Sequence, residues 1–283
     1  MYPRISIIMP SFNQAPYIEQ TIQSILDQDY PNLEFIVLDG GSTDGSVEII
    51  KHYSSNFKYW RSYPDEGQTA SLIEGFKIAT GDLLGWVNSD DIILPHVLDK
   101  VASTYLSDPD IGIIFGDYLL IDECDKILRC KRVPKNRIKW FANHGYWIFS
   151  SIGTFFTRHA YDLVDGLNPD LNYVMDADLL MRMVFEGVNY KHLGMYVGGF
   201  RRHKDAKTVS GRQDSRREYM RAAYKYWPSE YAKKRNQKRW KIAYWTYQIM
   251  NGNIRMLYDT VINRSKYWTE MKPNYKNNGD LQI

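Results

Sequence analysis

Asn88-Ser89-Asp90-Asp91 closes a short apolar run, Leu83 to Val87, and apolar Ile92-Ile93-Leu94 follows at once. Two adjacent carboxylates at the mouth of a buried strand repel each other and raise each other's pKa, a cost that a nearby cation relieves. Clustered oxygen ligands with no Cys or neighbouring His suit a hard divalent ion, Mg²⁺ or Mn²⁺, which also binds phosphate oxygens. The competing reading is a polar loop in which Asp90 or Asp91 caps the next helix. These four residues alone favour neither. Asp176 and Asp178 lie in the stretch Tyr173 to Arg182, whose apolar residues have helical spacing. Taken alone, this is a helix with acids near its positive N-terminus. His203 stands in Gly198-Gly199-Phe200-Arg201-Arg202-His203-Lys204, where a lone His among basic residues is ordinarily solvated surface.

The elements that must position these groups follow from hydrophobic periodicity. Arg4 to Pro10 reads as a buried strand, and Ser11-Phe12-Asn13-Gln14 turns into a helix with Ile18, Ile22, Ile25 and Leu26 on one face. A second strand, Leu33 to Leu38, runs into Asp39-Gly40-Gly41-Ser42-Thr43-Asp44-Gly45 and a helix with Val47, Ile49 and Ile50. Tyr59 to Ser62 is a weaker third strand; after Asp65-Glu66-Gly67-Gln68 a helix turns Leu72, Phe76 and Ile78 inward. The fourth strand carries the paired carboxylates. Alternating apolar strands and amphipathic helices predict an α/β fold with a mostly parallel sheet covered on both faces. Such sheets bind ligands outside the carboxyl ends of their strands. Ser11, Asp39, Asp65 and Asp90 all fall just after strands, so they are expected to meet in one crevice. The Asp39 to Gly45 turn lacks both the Gly-Lys-Ser/Thr phosphate loop and the Gly-x-Gly-x-x-Gly dinucleotide pattern. It is either a plain strand-to-helix turn or an acid placed to accept hydrogen bonds from a base or ribose.

Met9-Pro10-Ser11-Phe12-Asn13, the Asp39 to Gly45 turn, and Thr80-Gly81-Asp82 leading to Asn88-Ser89-Asp90-Asp91 together resemble family 2 glycosyltransferases of the GT-A fold, across roughly residues 4 to 210. The resemblance implies a Rossmann-like, mostly parallel mixed sheet flanked by helices. It also implies a nucleotide-diphosphate-sugar donor (a UDP-sugar favoured), Mn²⁺ or Mg²⁺ held by an Asp-x-Asp-type motif, and inversion at the anomeric carbon. Carried over by position, Pro10, Ser11 and Phe12 line the nucleoside pocket, Asp39 and Asp65 bind the nucleoside, and Asn88 and Ser89 contact the donor. Asp90 becomes the metal ligand, Asp91 an outer-shell candidate, and His203 a further ligand, with Arg201 facing the diphosphate. Asp176 matches the family's catalytic base, which takes the proton of an otherwise poorly nucleophilic sugar hydroxyl; Asp178 ranks second. Three residues depart from the pattern: Asn88 for the first Asp, Gly40 for a second acid after Asp39, and Ile73 for a frequent Asn. They sustain the alternative of a degenerate, non-catalytic glycan- or partner-binding protein. A sugar nucleotidyltransferase is disfavoured because Ser11-Phe12-Asn13-Gln14 carries no basic residue. By the same resemblance, Ser150 to Phe156 forms the donor-site floor and acceptor edge. The aromatic segment before it, with Trp140, His144, Tyr146 and Trp147, is either core or an acceptor-side loop whose rings suit sugar C–H faces.

The 283 residues suffice for one large core plus an appendage. The expected division is a catalytic domain over residues 1–210 (a nucleotide-binding half 1–95, an acceptor half 96–210), a helical basic and aromatic extension over 211–270, and a disordered tail over 271–283. Cys124 and Cys130 lie in a charged stretch expected to be a hairpin, and two cysteines without a secretory pattern suggest reduced thiols in a cytoplasmic protein. No apolar run approaches the ~20 residues that span a bilayer. Residues 1–200 carry 26 acids against 16 Lys and Arg, whereas residues 201–241 carry 15 Lys and Arg against four acids. That basic block is interleaved with Tyr219, Tyr224, Trp227 and Trp240. It is either a pair of helices packing aromatics on the catalytic domain or a patch for an anionic membrane surface or lipid-diphosphate acceptor. Nucleic acid is disfavoured because the rest of the chain is acidic and lacks a nucleic-acid motif. The acceptor implied is a hydroxyl of a glycan or lipid-linked glycan, with the enzyme peripheral at the inner face of the cytoplasmic membrane; no oligomeric state is specified. Each Lys or Arg near an anionic surface contributes about 1 kcal/mol, screened over ~10 Å at 0.1 M salt. The protein is therefore expected to sediment with anionic liposomes at low salt and to leave them at high salt. Replacing Lys233, Lys234 and Arg235 with Gln should weaken that binding, and a wild-type protein indifferent to liposomes at low salt would reduce the block to packing.

Overall fold

The computed structural model describes residues 2–136 and 149–207, with positions 138, 214, 215, 217, 218, 221, 222 and 246. The aromatic loop with Trp140, His144, Tyr146 and Trp147, most of the 211–270 extension and the 271–283 tail lie outside the described residues. The first half alternates as its periodicity predicts: β1 (Ile5–Ser11), α1 (Ile18–Leu26), β2 (Leu33–Asp39), α2 (Ser46–His52), β3 (Tyr59–Ser62), α3 (Gln68–Ile78) and β4 (Leu83–Trp86). Then come β5 (Ile92–Ile93), α4 (Val97–Ser107), β6 (Ile111–Ile121), β7 (Ile127–Lys131), β8 (Thr154–Thr157), α5 (Arg158–Leu163), α6 (Met175–Phe185) and β9 (Asn189–Arg201).

The strands form one sheet in the order β3-β2-β1-β4-β8-β6-β9-β5, with β7 paired to β6. From β3 to β4 the pairing is parallel. β8 enters antiparallel between β4 and β6, β9 runs parallel to β6, and β5 is antiparallel to β9. Every residue of β1 is buried because helices cover both faces. Its alternation splits the core: Ile5, Ile7 and Met9 pack with α1, α2 and α4, while Ile8 packs with Leu72 and Phe76 of α3 and with α6. The sheet is mixed, as expected, with helices on both faces. The Cys124–Cys130 stretch is the expected β6–β7 hairpin; Cys124 is exposed and Cys130 buried. Among the described residues, no helix is long and apolar enough to cross a membrane.

The sequence left open whether Asp90 or Asp91 caps the next helix. It is neither: Ile92–Ile93 forms a short strand, and α4 starts from His96 without a side-chain cap. Past position 210, Glu218 and Ala222 are buried, and Ala222 joins the core beneath α3 and α6, so the chain at these points packs on the sheet and its helices.

α3 lies against β1 and β2 at Gly75, where a Cβ would stand 2.6 Å from Ile8 Cγ2 and 3.1 Å from Leu38 Cδ1. Alanine normally favours a helix interior over glycine, but here the contact dominates. Gly75→Ala is expected to destabilise by about 1–3 kcal/mol, read from urea denaturation, and unchanged stability would show that the helix is free to lift off the sheet.

Candidate functional site

Four strand ends open into one cavity of about 510 Å³, as the positions of Ser11, Asp65 and Asp90 anticipate. Pro10 and Ser11 line it from the end of β1, and Phe12, 59 % exposed, stands at its mouth. A Cβ on Gly40 would lie 3.3 Å from Asp65 Oδ1 and 3.4 Å from the Phe12 ring, so the missing side chain widens the gap between them. Two buried polar atoms on the lining, Ser11 Oγ and Trp86 Nε1, have no hydrogen-bond partner among the described residues. Native proteins rarely leave such groups unpaired, and a bound polar ligand would satisfy them.

At the end of β4 the neighbouring acids separate. Asp90 lines the cavity, and its Oδ2 lies 2.9 Å from Nε2 of His203, a residue 113 positions away. His203 is buried, with its ring 4.8 Å from that of Tyr17. A carboxylate oxygen and an imidazole nitrogen at this separation fit adjacent positions on one hard divalent cation with bonds of about 2.1 Å. Among the described residues, no third His, Cys, Asp or Glu joins them. Asn88 Oδ1 accepts from Gln68 Nε2 at 2.7 Å, and Gln68 Oε1 accepts from Lys207 Nζ at 3.2 Å. Ser89 is buried on the lining, and its carbonyl accepts from the Thr21 hydroxyl at 3.0 Å.

Asp176 enters the cavity from the first turn of α6, with Oδ1 accepting from the Ala177 N–H at 2.7 Å. It touches the cavity's solvent but is otherwise enclosed by protein. Burial pushes its pKa up to about 6, against the opposing pull of that hydrogen bond and of Lys207. Lys207 is shifted the other way: burial lowers its pKa, while Glu218 and Asp176 hold it up.

Four of the expected site residues face elsewhere. Asp39 is fully buried, and its carboxylate accepts from the N–H groups of Gly41 and Ser42 and the hydroxyls of Ser42 and Ser62. With both oxygens occupied by the turn, it shapes the pocket rather than lining it. Asp91 is also buried: Oδ1 accepts from Arg201 N at 2.9 Å and Oδ2 from Asn88 Nδ2 at 3.2 Å. Burial, and then the charge of Asp90, raise its pKa well above the usual carboxylate value. Asp178 is spent on an ion pair with Arg182 at 2.9 Å, away from the cavity. Arg201 does not reach toward a diphosphate. Its fully buried guanidinium bonds the Asp90 carbonyl at 2.8 Å, Gln20 Oε1 at 2.6 Å and the Asp125 carboxylate, with Tyr17 stacked at 5.0 Å. Ile73, the third departure, packs against the apolar core.

Other residues at the site lay outside the motifs. Arg61 bonds the Asp39 carbonyl at 2.7 Å, Asp65 at 3.0 Å and Glu74 at 2.6 Å, tying the ends of β2 and β3 to α3. An arginine inside a strand was the available hint. Gln68 and Lys207 gave none, since their contacts span 20 to 139 positions.

The family described as glycosyl transferase family 2 matches residues 6–161, more than half of the chain. This chain belongs to that family. It is 38 % identical over 186 residues to an uncharacterized glycosyltransferase of Mycobacterium tuberculosis, covering 64 % of this chain and 68 % of that one. An uncharacterized glycosyltransferase of Haemophilus influenzae is 36 % identical over 123 residues, 42 % of this chain and 49 % of the relative. Chondroitin synthase of Pasteurella multocida is 25 % identical over 197 residues, 68 % of this chain, but the chain spans only 20 % of that protein. Among solved structures, S. aureus TarS (residues 1–349) in complex with UDP-GlcNAc superposes with a TM-score of 0.60 at 17 % identity, over 78 % of this chain and 66 % of that one. The mannosyltransferase PcManGT from Pyrobaculum calidifontis, in complex with GDP-Man and Mn²⁺, gives 0.58 at 19 % identity, over 80 % and 65 %.

If Arg201 is a clamp, Arg201→Met should cost stability, about 3 kcal/mol for stranding buried partners, measured by denaturant titration. A variant that keeps wild-type stability but loses nucleotide affinity would return Arg201 to the diphosphate.

Proposed function

We propose that the protein is a metal-dependent, inverting glycosyltransferase that moves a sugar from a nucleoside-diphosphate donor to an acceptor hydroxyl. The observation that carries this reading is the meeting of Asp90 and His203 at 2.9 Å in a cavity that Asp176 also lines. Asp90 and His203 would hold Mn²⁺ or Mg²⁺, which supplies charge neutralisation to the departing diphosphate. Phe12, Pro10, Ser11 and Asp65 receive the nucleoside, with Ser11 Oγ and Trp86 Nε1 free to bond the donor. Asn88 and Ser89 shape the floor beside the diphosphate.

Asp176 takes the proton from the acceptor hydroxyl as its oxygen attacks the anomeric carbon on the face opposite the leaving group. A single base and a single displacement give inversion. A pKa near 6 suits the role, since the base is ionised at neutral pH yet basic enough to take a proton. A UDP-sugar is the favoured donor and a glycan or lipid-linked glycan the acceptor, in assembly of a bacterial surface polysaccharide at a membrane face. The likeness to chondroitin synthase of Pasteurella multocida supports a polysaccharide product.

With Mn²⁺ present and water as acceptor, release of UDP from UDP-GlcNAc or of GDP from GDP-mannose reads turnover. Asp90→Ala should abolish metal-dependent nucleotide binding. Asp176→Asn should keep it and lose turnover by roughly 10²–10⁴-fold. Because burial raises the Asp176 pKa, the ionised base disappears as pH falls through about 6; the wild-type rate should drop about tenfold per pH unit below that. Nucleotide binding with no release from any donor would favour the non-catalytic alternative.

A further inference from the structure

Val174 stands at the N-cap of α6 and offers no side-chain acceptor to the helix. A helix start leaves its first N–H groups without partners unless a side chain, water or ligand supplies them. For the N–H of the N-cap Val174 and of the two residues before it, the partner arrives from far along the chain. One oxygen of Glu218 accepts from Asn172 N at 2.6 Å, and the other accepts from Tyr173 N and, at 3.0 Å, from Val174 N. Glu218 is only 7 % exposed, and four residues on Ala222 is buried in the core beside α6. From the other side, Lys207 Nζ donates to the Asn172 carbonyl and lies 5.1 Å from the centre of the Tyr173 ring. The loop that delivers Asp176 is thus gripped by two side chains that both follow His203 in sequence and both fall outside the family match over residues 6–161.

We propose that Glu218 is a positioning residue for Asp176, setting where the proposed base sits in the cavity; this rests on the reading of Asp176 as that base. Without the Glu218 carboxylate, three consecutive N–H groups and the positive end of the helix lose their anion. The Asp176 carboxylate lies on the first turn of that helix end, already bonded to the N–H of Ala177. Turned toward the helix end, it would leave the position from which it meets the acceptor. Among the described residues, none of those proposed to meet the nucleotide or the metal, Phe12, Asp65, Asn88, Asp90 and His203 among them, bonds Glu218, whose hydrogen bonds go to residues 172–174.

The test separates turnover from donor binding. Full-length Glu218→Ala and Glu218→Gln would be compared with wild type and Asp176→Asn. The readouts are UDP or GDP release with Mn²⁺ and water as acceptor, and Mn²⁺-dependent UDP or GDP affinity by calorimetry. A base displaced by about an ångström costs up to 10²-fold, so both Glu218 variants should turn over roughly 10–100-fold more slowly with nucleotide affinity within about twofold of wild type. Glu218→Asp, which can still bond part of the loop, should recover part of the loss. Glu218→Gln keeps the side-chain shape and one acceptor oxygen, so the reading survives if the alanine variant does not fold. Wild-type turnover in a folded Glu218→Gln, or parallel loss of nucleotide affinity, would overturn the proposal. If Asp176→Asn turns over normally, the reading of Asp176 as base fails on its own and is recognised separately.

Discussion

Two like charges on consecutive residues at the end of a buried strand cannot be treated alike, and the site is organised around how they are separated. Asp91 turns inward and is met by the Arg201 N–H and the Asn88 amide. Asp90 turns outward to His203. The same short piece of β9 accomplishes both, because Arg201 and His203 are two residues apart and flank the end of the strand. The Arg201 guanidinium also bonds the Asp90 carbonyl, so the end of β4, the end of β9 and the β6–β7 hairpin close on one buried cation. Burying such a group costs several kcal/mol unless every donor is met, and here backbone carbonyls, Gln20, Asp125 and the face of Tyr17 surround it.

The departures from the family pattern become intelligible in this light. An Asp at position 88 would add a third carboxylate beside Asp90 and the buried Asp91. Asn88 instead donates to Asp91 and accepts from Gln68, continuing a line of hydrogen bonds to Lys207 across the cavity. A neutral amide keeps the geometry without the repulsion. At position 40, glycine leaves open the space between Phe12 and Asp65, the place proposed for the base. Charge and shape have thus changed at the site while its two strand ends remain joined.

Much of the site was legible in the sequence because strand ends are. Apolar runs broken by Ser11, Asp39, Asp65 and Asp90 announce both the sheet and the edge where ligands meet it. What the sequence could not show was which way a side chain turns once it arrives. Asp39 and Asp91 sit at strand ends as expected, yet neighbouring N–H and hydroxyl groups draw both carboxylates inward. By its position Arg201 reads as a residue facing the diphosphate, and only the fold shows the acceptors gathered around it. Contacts such as Glu218 with residues 172–174 join positions more than forty apart with no local pattern to mark them. The short β5 strand was missed for another reason: two apolar residues resemble the start of a helix until β9 supplies their hydrogen bonds.

Asp90 and His203 are proposed to form the protein's half of a metal site completed by the donor's diphosphate. Pulsed electron paramagnetic resonance of bound Mn²⁺, recorded with UDP or GDP, tests it directly, because a coordinating imidazole imprints nitrogen hyperfine coupling on the manganese signal. Wild-type protein should show histidine nitrogen coupling in the ternary complex, and His203→Ala should lose it. Manganese that binds together with the nucleotide but carries no histidine coupling in the wild-type protein would contradict the claim.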